Sequence, residues 1–365
     1  MQTDKDNNDP GKPISKTTQD LPGGRLNPSA FRRTKHTGTE SVESLAEKIK
    51  SGDTSALSRG ITLIESNKVT DKPLARLLIR LCLRDRQDTA RIAISGSPGA
   101  GKSTFIEAIG TYVADQGHKV AVLAIDPSSS LTGGSILGDK TRMEKLSAHP
   151  NAYIRPTPAG KTLGGVARYT REAIILCEAA GYNVIFIETV GVGQSETIAE
   201  SMVDIFTLLL LPGAGDELQG IKRGVVEMAD LIVVNKADGE RIQLASQAKI
   251  AYQRALHLFP SKESGSTVEV FICSSTEDKG TGTIWQHITD MLSTHRTTGY
   301  FAQRRQQQLM HWFDASIRNN IFEIFLRNND IHSEFEALKQ AILNHQITPF
   351  DAADQLLARF FKDKS

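Results

Sequence analysis

Between Arg91 and Cys273 the chain keeps returning to short, unbroken apolar runs: Arg91–Gly96, Lys119–Asp126, Val184–Glu188, Ile205–Leu211, Asp230–Asn235 and Val268–Cys273. These runs are β-branched and do not alternate with polar residues, the pattern of strands covered on both faces. Stretches of helical period separate them, which predicts repeated βα units: an α/β fold with a mainly parallel sheet flanked by helices. Asn151–Arg155 is a candidate for one more short strand.

The pattern changes on both sides of this block, which spans residues 89–298. Residues 1–38 are rich in Asp, Asn, Lys, Pro, Gly, Ser and Thr and hold few large apolar side chains, so disorder is expected of them. Over 39–88 the apolar positions Leu45, Ile49, Leu57, Ile61 and Ile64 recur at helical spacing, and Gly52-Asp53-Thr54 interrupts them and can cap the following helix. Pro73 can start a third helix carrying Leu74, Leu77, Leu78, Leu81 and Leu83. Over 299–365 the chain is helical again, with Leu309, Phe313, Ile317 and Ile321 at every fourth position and Phe322, Phe325 and Leu326 beside them. Thr348-Pro349 reads as a helix start, and Leu356, Leu357, Phe360 and Phe361 give the helix that follows an apolar side. The spacing alone leaves two readings of this C-terminal segment open: packing on the main domain, or an arm that pairs two copies.

Composition narrows the classes. The net charge of +1 gives no electrostatic case for nucleic acid or an anionic membrane, and no apolar run reaches the length of a membrane span. The basic run Phe31–His36 sits in the polar tail and reads as a solvated segment. The 3 cysteines, Cys82, Cys177 and Cys273, have neither disulfide-framework nor metal-ligand spacing, so buried small hydrophobes in a reducing compartment are expected. Early acids and the lack of an apolar core in the first residues point to the cytoplasm rather than to an export or mitochondrial signal.

Candidate chemistry sits where the apolar runs end. Gly96-Ser97-Pro98-Gly99-Ala100-Gly101-Lys102-Ser103, followed by Thr104, lies between a strand and an amphipathic helix, the context a phosphate-cradling loop requires. Its glycines let backbone N–H groups turn inward, Lys102 can bridge the β- and γ-phosphates, and the Ser103 hydroxyl can bind Mg²⁺. Glu188 closes another strand as the candidate metal carboxylate, and Gly191, three residues on, can offer a backbone N–H to the γ-phosphate. Asp126 closes the second strand on the ligand side of the sheet. Asp139, in the Gly- and Ser-rich loop beyond it, reads equally well as a metal ligand or as a turn cap. The glycine-punctuated stretch from Gly213 to Lys222, with Asp216 inside it, reads as a mobile loop or a solvated connection.

Asn235-Lys236-Ala237-Asp238 ends a further strand. The Asp238 carboxylate can accept both donors of guanine's ring N–H and exocyclic amine, a pair adenine lacks. The Lys236 stem can lie along the base, and Asn235 can tie loops together. Cys273-Ser274-Ser275 can present backbone N–H groups to the guanine carbonyl oxygen.

These residues, in this order, resemble the MeaB/ArgK family, the cobalamin-linked GTPase chaperones of methylmalonyl-CoA mutase. The resemblance spans residues 41–365. It rests on Gly52-Asp53 followed by Ile61–Glu65, on Ala124–Ser130, on Ile187–Ser195 and on Leu211–Gly220, beyond the two nucleotide motifs. It implies a P-loop GTPase with Mg²⁺, using GTP and releasing GDP, with an N-terminal helical extension and a C-terminal dimerisation arm. It implies an adenosylcobalamin-dependent methylmalonyl-CoA mutase as partner, whose cofactor loading is gated and which is protected from inactivation. By matching position, Lys102 and Ser103 carry phosphate and metal roles, and Asp126, Asp139 and Glu188 carry metal or switch roles. Gly213, Asp216 and Lys222 fall in a partner-sensing switch, and Asn235, Lys236 and Asp238 read guanine. A glutamine does not directly follow Gly191, since Gln194 comes three residues later, and this predicts slow basal hydrolysis that a partner accelerates. The alternatives are a nickel-type metallochaperone GTPase, a GTP-dependent binding module without significant catalysis, and an ATP-driven transport ATPase. The dispersed histidines speak against the first, and Asp238 against the last.

Overall fold

A computed structural model of the chain describes residues 41–83, 89–125, 143–156, 163–189, 195–213, 223–327 and 329–362. The apolar runs form β1 (Ala90–Gly96), β2 (Val120–Ile125), β4 (Val184–Thr189), β5 (Ile205–Leu210), β6 (Leu231–Val234) and β7 (Glu269–Ile272), and the short run before Arg155 forms β3 (Ala152–Pro156). They make a 7-stranded sheet in the order β3-β2-β4-β1-β5-β6-β7. Every pairing is parallel. β1, β2, β4, β5 and β6 are buried along their whole length, which is why their sequences carry no alternation. β7 lies at an edge and exposes Glu269, a charge that suits an unpaired strand.

Alternate side chains of each strand enter two different cores. Ile92 and Ile94 of β1 and Val120 and Val122 of β2 pack with α4 (Lys102–Asp115) and α10 (Thr281–Thr297). Ala93, Ala121, Leu123 and Ile125 face the other way, toward α6 (Leu163–Ala179). Each fully buried Ile or Leu contributes about 1.5–3 kcal/mol of transfer free energy.

The N-terminal helices α1 (Val42–Lys50), α2 (Thr54–Ile64) and α3 (Asp71–Cys82) belong to that second core and pack against α6. Asp53 caps α2, its Oδ1 accepting from the Ser55 and Ala56 amides at 2.8 and 3.0 Å. Two expectations change here. α3 starts at Asp71, before Pro73, and its buried face is Ala75, Leu78 and Cys82, whereas Leu74 and Leu83 are exposed. A row of leucines is wider than the stripe one neighbouring layer can cover.

The C-terminal helices are α11 (Tyr300–Arg327), α12 (Asn329–Leu343) and α13 (Pro349–Lys362). Thr348 caps α13, its Oγ1 accepting from the Asp351 amide at 3.1 Å. Phe325, Ile331, Leu356 and Phe360 form a small core of their own, while Leu357 and Phe361 stay exposed. α11 docks on the main body through Arg304, Arg305, Gln308 and Trp312. The regular row Leu309, Phe313, Ile317 and Ile321 is exposed, so it does not pack on the main domain. The three cysteines are buried free thiols. Among the described residues no helix is long and apolar enough to cross a membrane.

Candidate functional site

β1 lies between β4 and β5 in the sheet, so the loop leaving its C-terminal end emerges where the strand order reverses, the usual place for a ligand crevice. That loop is Gly96–Gly101. A Cβ at Gly96 would run into the Leu209 carbonyl of β5, so only glycine fits this close approach. Gly101 has φ +85 and stands at the N-cap of α4, where among the described residues no side chain takes the capping bonds. The first N–H groups of a 14-residue helix are therefore left facing the loop, together with the positive end of its dipole.

Lys102 turns back across the same loop. Its ammonium donates to the Gly96 carbonyl at 2.9 Å and to the Ser97 carbonyl at 3.2 Å, and the residue is 9% exposed. Burial lowers the Lys102 pKa, and the carboxylates of Glu188 and Glu196 oppose that effect. Ser103 donates its hydroxyl to Glu188 Oε1 at 2.8 Å. The register Ile94↔Glu188 sets this contact, because it brings the end of β4 level with the root of the loop. A serine hydroxyl and a buried carboxylate side by side are hard oxygen donors suited to Mg²⁺. Among the described residues no group of three or more His, Cys, Asp or Glu is placed to hold a metal ion.

Asn235 joins three segments. Its Nδ2 donates to the Ala100 carbonyl at 2.9 Å, and its Oδ1 accepts from the Ser275 hydroxyl at 2.7 Å and the Ser275 amide at 3.4 Å. A Cβ built on Gly101 would lie 2.8 Å from Asn235 Nδ2 and 3.6 Å from Lys236 Cε, so the lysine stem runs past the phosphate loop. Lys236 itself adopts φ 59, a left-handed conformation that is strained for a lysine and turns the chain sharply after β6. Asp238 follows with Oδ1 on Arg241 Nη2 at 2.5 Å and Oδ2 accepting from Ser274 and Thr276 hydroxyls at 3.4 and 3.5 Å. Cys273 is buried beside them, and burial pushes its thiol up to about 11, so it is present as the neutral thiol.

The structure thus gathers Gly96 to Ser103, Glu188, Asn235 to Asp238 and Cys273 to Ser275 at one end of the sheet. Asp126, Asp139, Gly191, Asp216 and Lys222 lie outside the described residues; Gly213, at the start of the second loop, has φ +85. Three contributors escaped the sequence reading. Glu196 is fully buried and acts on Lys102, Arg241 holds Asp238, and Thr276 adds a hydroxyl to the same carboxylate. Arg241, the first residue of the helix Arg241–Leu256, follows the loop residue Asp238 by only three positions, a closeness of opposite charges that could have been read. Nothing in the spacing marks Glu196.

Residues 57–330 match the family described as methylmalonyl Co-A mutase-associated GTPase MeaB. A mouse protein named methylmalonic aciduria type A homolog, mitochondrial, is 43% identical over 329 residues, covering 87% of this chain and 79% of the relative. GTPase ArgK of Escherichia coli is 41% identical over 309 residues, covering 85% of this chain and 93% of the relative. Among solved structures, an LAO/AO transport system kinase superposes with a TM-score of 0.67 at 32% identity, covering 93% of this chain and 100% of the other.

Proposed function

The chain belongs to the MeaB family of methylmalonyl-CoA mutase-associated GTPases and is a P-loop GTPase, and on that premise we propose that it serves an adenosylcobalamin-dependent methylmalonyl-CoA mutase, or a related acyl-CoA mutase, as a GTP-driven chaperone. In this reading GTP binding and hydrolysis gate adenosylcobalamin loading and protect the mutase from inactivation. Support comes from the family description and from the name of the mouse relative.

We assign the site as follows. Gly96 to Thr104 wraps the phosphates, with Lys102 giving up its carbonyl contacts for the β- and γ-oxygens. Ser103 and Glu188 hold Mg²⁺, and the metal supplies neutralisation of the charge that builds on the phosphates. Asp126 and Asp139 are assigned to the same cation, Gly191 to the γ-phosphate, and the loop from Gly213 through Asp216 to Lys222 to sensing the partner. Asp238 accepts the guanine N–H pair, exchanging its Ser274, Thr276 and Arg241 contacts for the base, while Lys236 lies along the ring and Cys273 to Ser275 line its carbonyl side. The observation that most favours this assignment is the Asn235 amide, which binds the phosphate loop and the Ser275 loop at once.

We also propose a homodimer joined through the exposed row Leu309, Phe313, Ile317 and Ile321, which a lone chain leaves in water. Buried free thiols at Cys82, Cys177 and Cys273 are in keeping with a reducing, cytoplasmic setting. The test of the chaperone role is transfer of adenosylcobalamin to purified apo-mutase. Transfer that depends on GTP over GDP and is lost in Lys102→Ala supports it; transfer indifferent to nucleotide refutes it.

A further inference from the structure

At the C-terminal end of the sheet β1 and β4 separate. Among the described residues their last pair is Ile94↔Glu188. Beyond it β1 follows β5, through Ser95↔Leu208 and Gly96↔Leu209, and β4 follows β2, through Ile125↔Thr189. The crevice beside the phosphate loop therefore opens between Ser95 and Thr189. Side-chain contacts span it on both faces of the sheet. Glu188 shares the face of Phe186, toward α4, and its Oε1 accepts from the Ser103 hydroxyl at 2.8 Å. Thr189 and Ser95 share the face of Ile187 and Ala93, toward α6, and the Thr189 hydroxyl donates to Ser95 Oγ at 3.0 Å. Thr189 is 0% exposed and Ser95 1%, so water does not compete for this bond.

We propose that Thr189 is a positioning residue for the metal: its bond to Ser95 ties the end of β4 to the root of the phosphate loop, so that Glu188 keeps its place beside Ser103 when Mg²⁺ is bound. The inference rests on the assignment of Ser103 and Glu188 to Mg²⁺. In that assignment the Ser103 oxygen and the Glu188 carboxylate turn to the cation, and their direct contact is exchanged for it. The Thr189–Ser95 bond lies on the opposite face and is untouched by the exchange, so it still joins the two sides of the crevice. Mg²⁺ demands near-ideal octahedral geometry, and a glutamate carboxylate stands on a flexible stem. The backbone at Glu188 must therefore be held, and Thr189 is the next residue along it. Removing the Thr189 hydroxyl leaves the Ser95 oxygen buried without this donor, which favours a wider crevice that admits water.

The experiment reads metal affinity rather than turnover. Release of a fluorescent GDP is followed at stepped Mg²⁺ concentrations, and the concentration that half-maximally slows release is recorded, alongside GDP affinity in EDTA and a thermal melt. Thr189→Val keeps the shape of the side chain and removes its hydroxyl. It should raise the Mg²⁺ requirement about tenfold and leave GDP affinity in EDTA unchanged. Thr189→Ser should restore the unmutated value. Ser95→Ala removes the acceptor and gives the same readout independently, with the same expected loss. The two substitutions combined should lose no more than either alone, since both break one bond. A lower melting temperature with an unmoved Mg²⁺ requirement would mark a role in stability only and overturn the proposal. A loss in Thr189→Val that Ser95→Ala does not share would overturn it too. Glu188→Ala tests the metal assignment itself: an unchanged Mg²⁺ requirement there, or no GDP bound by the unmutated chain, removes that assignment and the proposal with it.

Discussion

The Asn235 side-chain amide donates to the Ala100 carbonyl at 2.9 Å, a bond between residues 135 apart in the chain. It joins the loop suited to phosphates to the strand end suited to a base. A nucleotide spanning the two finds both halves already held at fixed spacing, so less ordering entropy is lost on binding.

Gly101 lies under that bond. Gly101→Ala places a methyl group 2.8 Å from Asn235 Nδ2 at φ +85, adding a clash to the left-handed strain. Gly99, at φ +83, has open space around it, so Gly99→Ala bears only the strain of about 1–2 kcal/mol. Thermal melts and GTP titrations should therefore show Gly101→Ala losing both stability and affinity, and Gly99→Ala losing much less of either.

On the proposed assignment, Asp238 sets the choice of base. Asp238→Asn should weaken GTP about a hundredfold or more and shift preference toward a xanthine nucleotide, because an amide offers a donor where guanine also offers one. Competition between GTP and XTP for a fluorescent analogue reads this directly. An unchanged preference removes Asp238 from the base site.

Strong acid should loosen the dock of α11. Burial alone would raise the Asp204 carboxyl, but Arg305 and Arg91 outweigh it and hold it below the usual carboxylate range. A carboxyl lowered by folding contributes stability above its unfolded pKa of about 3.9, and that stability is lost as pH falls through its folded value. His295, lowered by burial, has the same sign from about pH 6.5 downward. Asp204→Asn should cost about 3 kcal/mol at neutral pH by removing the buried carboxylate that Arg305 grips, with Glu178 left as the remaining anion beside Arg305 and Arg91. It should also flatten the decline of stability below about pH 4, followed by urea unfolding.

The exposed row on α11 predicts the oligomeric state. Light scattering should give the mass of two chains for the unmutated protein and of one chain for Phe313→Asp combined with Ile317→Asp. A single-chain mass for the unmutated protein ends the dimer proposal.

The sheet was legible because a parallel strand covered on both faces writes itself as an apolar run, and β1, β4 and β5 do so without interruption. The phosphate loop was legible because Gly96 and Gly101 answer local steric demands. The docking of α11 was not. Its contact face is Arg304, Arg305, Gln308 and Trp312, polar side chains that read as solvated until their carbonyl and carboxylate partners come near in space. The apolar period of the same helix pointed to a different face. Glu196 was hidden for a related reason: a glutamate reads as exposed unless the fold around it is known, and here it is fully buried.

The most direct test of the chaperone reading is GTP hydrolysis measured with and without a purified cobalamin-dependent methylmalonyl-CoA mutase, Lys102→Ala serving as the blank. The account predicts slow turnover alone and an increase of at least about tenfold with the mutase. Turnover that no mutase alters would contradict the partnership and leave a guanine-nucleotide hydrolase with another client.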